Sequence, residues 1–223
     1  MKSKPKILTL FINPKMLLEK KKAFNLLNAF LMSNKYTFIL ILFCLILVSF
    51  TIIFPNKMAK ISKKEEDFNK DYIADSFDFP VGKPDGAGYY NAQKFGENRH
   101  LGEDWNGVGG GNTDYGDSIY SIANGQVTFA EDIEGGWGMV IRIKHKFNGE
   151  YYESLYAHFS KMTVKKGDWI QRGSHIGNMG DCGGQYKAHL HFELRDSLDM
   201  PIGGGYSSEY KGYVNPTKFI EKY

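Results

Sequence analysis

The sequence predicts a mainly β protein: an antiparallel β-sheet domain with a groove, preceded by a single transmembrane helix. Three observations carry this expectation. Aromatic residues make up 15% of the chain and 25 glycines are spread through its later part, a composition that favours strands and turns over helices. From Phe77 onward, short alternating apolar runs are separated by glycine turns. Before them lies Tyr36–Phe54, 19 residues without a charge, long enough to span a hydrocarbon core.

Composition bounds the rest. A chain of 223 residues with 42% hydrophobic content suits one domain with a real core plus an extension. The net charge of +3 is mild, and much of the lysine excess sits before residue 36. The folded part is therefore not broadly basic, which argues against a nucleic-acid partner. Cys44 lies in the apolar run and Cys182 in the globular part, so the two form no disulfide scaffold.

In chain order, residues 1–35 form a basic segment with eight lysines and one acid, Glu19. Leu17, Leu18 and Phe24–Leu27 around Lys20–Lys22 suit either an amphipathic helix on an anionic membrane or a short basic tail. Residues 36–54 read as an uncleaved signal anchor. A cleaved signal peptide wants a short basic region and small residues at the cut; here the basic region is 35 residues long and Phe54-Pro55-Asn56-Lys57 offers no such site. Cys44 follows Phe43, a poor lipidation context. Lysines ahead of the span favour a cytoplasmic N-terminus. Lys57, Lys60, Lys63 and Lys64 weaken that bias and are partly offset by Glu65, Glu66 and Asp67. Residues 55–76 are charged and lack alternation, as a linker or a short juxtamembrane helix would. The domain is expected over 77–223. Ser118–Ile122 and Gln126–Ala130 flank Asn124-Gly125, and Met139–Ile143 and Tyr151–His158 flank Asn148-Gly149, so each pair predicts a hairpin. Trp169-Ile170, Ile176-Gly177 and His189–Leu194 supply later strands. Gly107–Tyr115 and Gly203–Tyr206 are expected as loops at the rim of a groove.

The chemistry centres on Ala188–Leu194. Side chains two apart on a strand share a face, so His189 and His191 point the same way. His100 and Asp104 stand four apart, and His158 follows Tyr156-Ala157; four of the chain's six histidines lie in these stretches. Catalytic zinc keeps three protein ligands and leaves a position for water. His100, Asp104 and one histidine of the pair would supply two nitrogens and an oxygen. Zn2+ lowers the pKa of its water toward ~7 and polarises a carbonyl. A hydrolase also needs a proton acceptor and a group that steadies the oxyanion. The other histidine of the pair, with His158, has that chemistry. The chain has no His-Glu-x-x-His helix, which excludes the helical zinc-protease scheme.

At this point the sequence resembles a known family, the lysostaphin-like cell-wall metallopeptidases of peptidase family M23, from about Phe77 to Tyr223. His100-Leu101-Gly102-Glu103-Asp104 matches its His-x-Gly-x-Asp motif, Tyr156-Ala157-His158 its Tyr-Ala-His stretch, and His189-Leu190-His191 its His-x-His motif. Val164–Gly173 matches a turn between strands and Val214-Asn215-Pro216 the usual ending. The resemblance implies His100, Asp104 and His191 as zinc ligands and His158 and His189 as catalytic histidines. It implies hydrolysis of peptide bonds in peptidoglycan cross-links or stems, by a domain outside a cytoplasmic membrane that the N-terminal helix spans. One run departs from the family: Gly180–Ala188 replaces a Ser-Thr-Gly-Pro-like stretch, so substrate preference does not carry over. The alternative is a non-catalytic relative that binds or activates other wall hydrolases. Such relatives commonly lose ligands or catalytic histidines, and all five positions are present here.

Other residues have plainer expectations. Lys165–Gly173 also looks like the turn of a lipoyl or biotinyl barrel, but no second half of that barrel is evident. His145 and His175 read as surface residues. Cys182 reads as a small turn residue, with a fourth, inhibitory thiolate ligand as the alternative. Of Trp105, Trp137 and Trp169, at least two are expected in the core and the remainder on a glycan groove. Glu193 shares a face with His191, where it either orients the ligand or lies exposed.

Overall fold

The structure is a computed structural model that describes residues 15, 18–30, 32, 39 and 68–223. The chain divides into two compact units, Met1–Glu66 and Asp67–Tyr223. In the first, residues 18–30 are helical, with Leu18, Phe24, Leu26, Leu27 and Phe30 exposed. The transmembrane span expected over 36–54 lies outside the described residues, Ile39 excepted. Among the described residues no helix is long and apolar enough to cross a membrane.

The second unit is mainly β, as expected. Its strands are β1 (Tyr89–Gln93), β2 (Glu103–Gly107), β3 (Ser118–Tyr120), β4 (Gly125–Asp132), β5 (Met139–Phe147), β6 (Glu150–Met162), β7 (Trp169–Ile170), β8 (His175–Met179), β9 (Leu190–Arg195) and β10 (Tyr213–Val214), followed by a short helix, α1 (Pro216–Ile220). They form one sheet in the order β1-β2-β9-β6-β5-β4-β7, with β10 also on β9 and β8 bridging β6 to β3. Every pairing is antiparallel.

Period-2 alternation sorts the side chains onto two faces. Ile141, Ile143, Tyr156, Leu190, Phe192 and Leu194 enter the main core with Ile119, Ile122 and Val127. Each such burial contributes about 1.5–3 kcal/mol relative to an exposed side chain. The opposite face carries a smaller apolar cluster, Val140, Leu155 and Ala157, against Trp137 and Ile202. β9 is buried on both faces, with Leu190, Phe192 and Leu194 on one and His191, Glu193 and Arg195 on the other. Residues ahead of Phe77 also pack on this unit. Phe68 meets the Trp169 ring edge-on at 5.0 Å, and Ala74 N–H donates to Lys146 O at 2.8 Å.

The two predicted hairpins differ in outcome. Asn148 and Gly149 have φ of 51° and 86°, the left-handed pair a tight hairpin turn needs, and Phe147 pairs with Glu150 across it. Neither Asn124 nor Gly125 has positive φ, and the strands flanking them do not pair: β3 joins β8, while β4 joins β5 and β7. Gly125 serves close packing instead, since a Cβ there would stand 2.5 Å from Lys144 O and 2.7 Å from His145 Nδ1.

His145 is also not a surface residue. It is fully buried, with Nδ1 2.9 Å from Asn124 O and Nε2 2.7 Å from Ser154 Oγ. Burial pulls its pKa down to about 4, the Asn124 carbonyl opposing only in part. His175 is exposed, as expected. Trp105 is in the core, and Trp169 packs against Phe68 and Tyr72.

Candidate metal centre and catalytic cleft

Strand register builds the centre. Asp104 on β2 lies directly opposite His191 on β9, and Ala157 on β6 lies opposite His191 on its other side. A side chain on either neighbour therefore starts within cross-strand reach of His191. His100 arrives from a tight approach in which Asn98 and Arg99 both have positive φ, 51° and 68°. It is fixed by a bridge to Tyr206 and by Leu101 N–H donating to Gly205 O at 2.9 Å. The glycine of His-x-Gly-x-Asp has a physical reason: a Cβ on Gly102 would meet Phe192 O at 2.6 Å and His191 Cε1 at 3.0 Å. Behind Asp104, Glu103 points to the other face. It accepts from Thr217 Oγ1 at 2.8 Å, tying α1 to β2.

Three donor atoms converge. His191 Nδ1 is 3.0 Å from Asp104 Oδ1 and 3.0 Å from His100 Nε2, and the last two are 3.4 Å apart. Among the described residues this is the group able to hold a metal ion. Two donors at about 2.0–2.1 Å from a tetrahedral zinc stand about 3.3–3.4 Å apart, so two imidazoles and a carboxylate in this triangle fit the ion. Without it, the facing nitrogens of His100 and His191 need a proton between them. Burial works against a charge on His191, yet hydrogen bonds to Asp104 and Glu193 lift its pKa to about 9. Burial likewise opposes the Asp104 charge, but the His191 hydrogen bond and neighbouring histidines hold its carboxyl below the usual range. His100, with burial dominant, is pushed down toward the neutral ring.

The remaining two histidines face the same cleft, of about 430 Å³, whose lining includes Asp104, His158, His189 and His191. His189 Nδ1–H donates to Lys187 O at 2.8 Å, leaving the Nε2 lone pair 4.0 Å from Asp104 Oδ1. The rings of His158 and His189 are 4.5 Å apart. His158 reaches this face only through a β-bulge. Alternation alone puts it opposite Ala157, on the core face. Between the pairs Tyr156↔Ile141 and Phe159↔Met139, β6 carries one residue more than β5, and His158 takes φ of 65°. The bulge turns its ring into the cleft. Left-handed backbone at a non-glycine residue costs on the order of 1–3 kcal/mol and recurs at functional sites. β6 also changes partner here, from β9 up to Ala157 to β8 from Phe159. His158 Nδ1 faces Trp137 O at 3.3 Å and Cys182 Sγ at 3.0 Å. Burial first, then the nearby His189 and His191, pull its pKa to about 3, so the ring is neutral.

Cys182 thus touches His158 and is not in the donor triangle. Burial pushes its thiol up to about 11. Gly136, Trp137, Tyr186, Gly204, Gly205 and Tyr206 complete the lining, so Gly203–Tyr206 does rim the groove. Gly107–Tyr115 instead props the start of β9, with Asn112 Oδ1 accepting from Ala188 N–H at 2.9 Å. Tyr186 and Tyr206 carried no separate signal in the sequence. Tyr186 lies in the departing run Gly180–Ala188, and Tyr206 beside a glycine run. Glu193 is buried, with Oε1 3.1 Å from His191 Nε2.

Comparison with known proteins matches the stretch of chain that holds these residues. Residues 100–206 match the model of Peptidase family M23. The chain is 34% identical over 106 residues to lipoprotein NlpD of Yersinia enterocolitica, covering 47% of this chain and 91% of that protein. It is 33% identical over 106 residues to the murein hydrolase activator NlpD of Escherichia coli (strain K12), covering 47% of this chain and 23% of that one. It is 32% identical over 115 residues to the peptidoglycan DD-endopeptidase ShyB of Vibrio cholerae, covering 44% and 24%. The chain thus spans less than a quarter of the last two relatives.

Proposed function

The chain belongs to peptidase family M23, and from that membership we propose that it is a zinc-dependent endopeptidase acting on peptide bonds of peptidoglycan cross-links or stem peptides. One observation carries the reading: Asp104, His158, His189 and His191 line one cleft, and the buried His100 completes a donor triangle with Asp104 and His191. His100, Asp104 and His191 would hold the zinc. When bound, the ion supplies Lewis-acid chemistry, polarising a carbonyl and making water acidic. The rest falls to the chain's own groups. His158 is neutral, its Nδ1 occupied by the Trp137 carbonyl, which leaves Nε2 to accept a proton. His189, anchored through Nδ1 to Lys187 O, presents Nε2 to the same space, where it orients water or, once protonated, steadies the oxyanion. Trp137, Tyr186 and Tyr206 give the substrate an aromatic wall.

A second reading rests on the relatives named murein hydrolase activators: a module that binds and activates other wall hydrolases. Digestion separates the two. Purified sacculi incubated with the full-length protein and zinc should release peptide-cleaved fragments identified by mass. If fragments appear only when a second purified wall hydrolase is added, the activator reading replaces the enzyme. We place the domain outside the cytoplasmic membrane, carried by residues 36–54 with the N-terminus inside. A reporter fused after Tyr223 should register as extracytoplasmic, and a cytoplasmic signal would overturn that placement.

A further inference from the structure

The face of β9 that carries His191 continues as a row of buried charges. His191 Nε2–H donates to Glu193 Oε1 at 3.1 Å. Arg195 Nε and Nη2 donate to Glu193 Oε2 at 2.9 and 2.6 Å. Arg195 Nη1 then stands 3.5 Å from Glu153 Oε1, which also accepts from Arg142 Nε and Nη2 at 2.8 and 2.6 Å. The side chains of Glu193 and Arg195 are both 0% exposed. Buried ion pairs rarely stabilise a fold more than apolar side chains of the same volume would. Their value here lies in what they orient. A histidine ring settles in either of two flipped positions about χ2, which exchange Nδ1 with Cδ2 and Nε2 with Cε1. Only the one observed turns Nδ1 to Asp104 and His100. An acceptor at Nε2 selects that flip and the tautomer whose lone pair is on Nδ1.

We propose that Glu193 is a positioning residue for the metal centre: it holds the His191 ring with Nδ1 aimed into the donor triangle, and Arg195 holds Glu193. Arg195 Nη2 also reaches Ile202 O at 3.3 Å, in the segment leading to the cleft-lining Gly204–Tyr206. The same guanidinium therefore ties the ligand's support to the segment that rims the cleft. This inference rests on the metal-site reading and extends it beyond the three ligands.

The test uses Glu193→Gln in the full-length protein. Glutamate offers two acceptor oxygens to two donors, His191 Nε2–H and the Arg195 fork. Glutamine offers one oxygen, so either donor is left facing an NH₂ group. Zinc affinity is read by competition with a chromogenic chelator, and ligand geometry by the visible spectrum after cobalt substitution. The variant should bind zinc about 10–100-fold more weakly than wild type and show an altered cobalt spectrum. If Glu193→Gln fails to fold, Glu193→Asp is read the same way. It keeps the charge and both oxygens but withdraws them from His191 by one methylene. Zinc affinity within twofold of wild type and an unchanged cobalt spectrum in a folded variant would overturn the proposal. Failure of the wild type itself to bind zinc would instead remove the metal-site reading beneath it.

Discussion

His189 and His191 are two residues apart and both line the cleft, yet their surroundings differ, and the roles proposed for them differ accordingly. His191 is buried and bonded at both nitrogens, to Asp104 and Glu193. His189 is tied only at Nδ1 and opens on the cleft. His191→Ala should lower zinc affinity by orders of magnitude, because it removes one of the three ligands proposed here. His189→Ala should keep near-stoichiometric zinc while turnover falls roughly 10²-fold or more. Metal content and rate, measured on the same folded samples, decide this, and the reverse pattern would swap the two roles. Cys182 is the second test at this scale. Its sulfur touches His158 and Gly136 O, contacts that a hydroxyl also makes. Cys182→Ser should therefore leave zinc content unchanged and the rate within about twofold, whereas a large gain in rate would mark an inhibitory thiolate. Much of this site was legible in the sequence, since His-x-His and His-x-Gly-x-Asp bring their side chains to one face by strand period and close approach alone. His158 was legible by motif but not by period, because a bulge sets its direction.

At the level of the element, β5 holds a signal that was available but overridden by composition. Ile141, Ile143, His145 and Phe147 alternate on one face, and that face is the core. The lysines on either side of His145 suggested solvent, yet they belong to the other face. The consequence is a pH dependence of folding. The folded pKa of His145, about 4, lies below its unfolded value of 6.5. The unfolded chain therefore binds the proton first, and stability present above pH 6.5 is lost as pH falls toward 4. The contribution is on the order of 2–3 kcal/mol by pH 4.5. Unfolding curves at pH 7 and pH 4.5, taken with chelator present, should show wild type losing more stability than His145→Gln by about that amount. Equal losses would show that His145 does not titrate this way. The hairpins teach a related point. Asn148-Gly149 joins strands adjacent in sequence, so local turn chemistry decides it. Asn124-Gly125 joins strands whose partners are distant, β8 for one and β5 and β7 for the other, and no local signal names them.

For the second unit, three neighbouring strands carry Asp104, His191 and His158, and His100 and His189 stand just ahead of two of them. β9 sits between β2 and β6, so His191 is flanked by Asp104 and by the bulge that presents His158. The class of fold followed from composition and turn spacing. The sheet order did not, because distant cross-strand partners such as Glu103 and Phe192 are fixed by how the two faces pack rather than by any local pattern. Trp137 and the Gly203–Tyr206 loop were candidates for a groove from the sequence, but that they meet Tyr186 in one aromatic wall was not legible, because the three come from separate loops. The central claim is that this sheet assembles a zinc centre whose metal is required for hydrolysis. It is tested most directly by stripping the full-length protein of metal and titrating zinc back while following both bound zinc and fragment release from purified sacculi. Release should be absent without metal and rise in proportion to bound zinc, levelling off at about one ion per chain. Release that persists in the stripped protein, or a fully loaded protein that releases nothing, would contradict it.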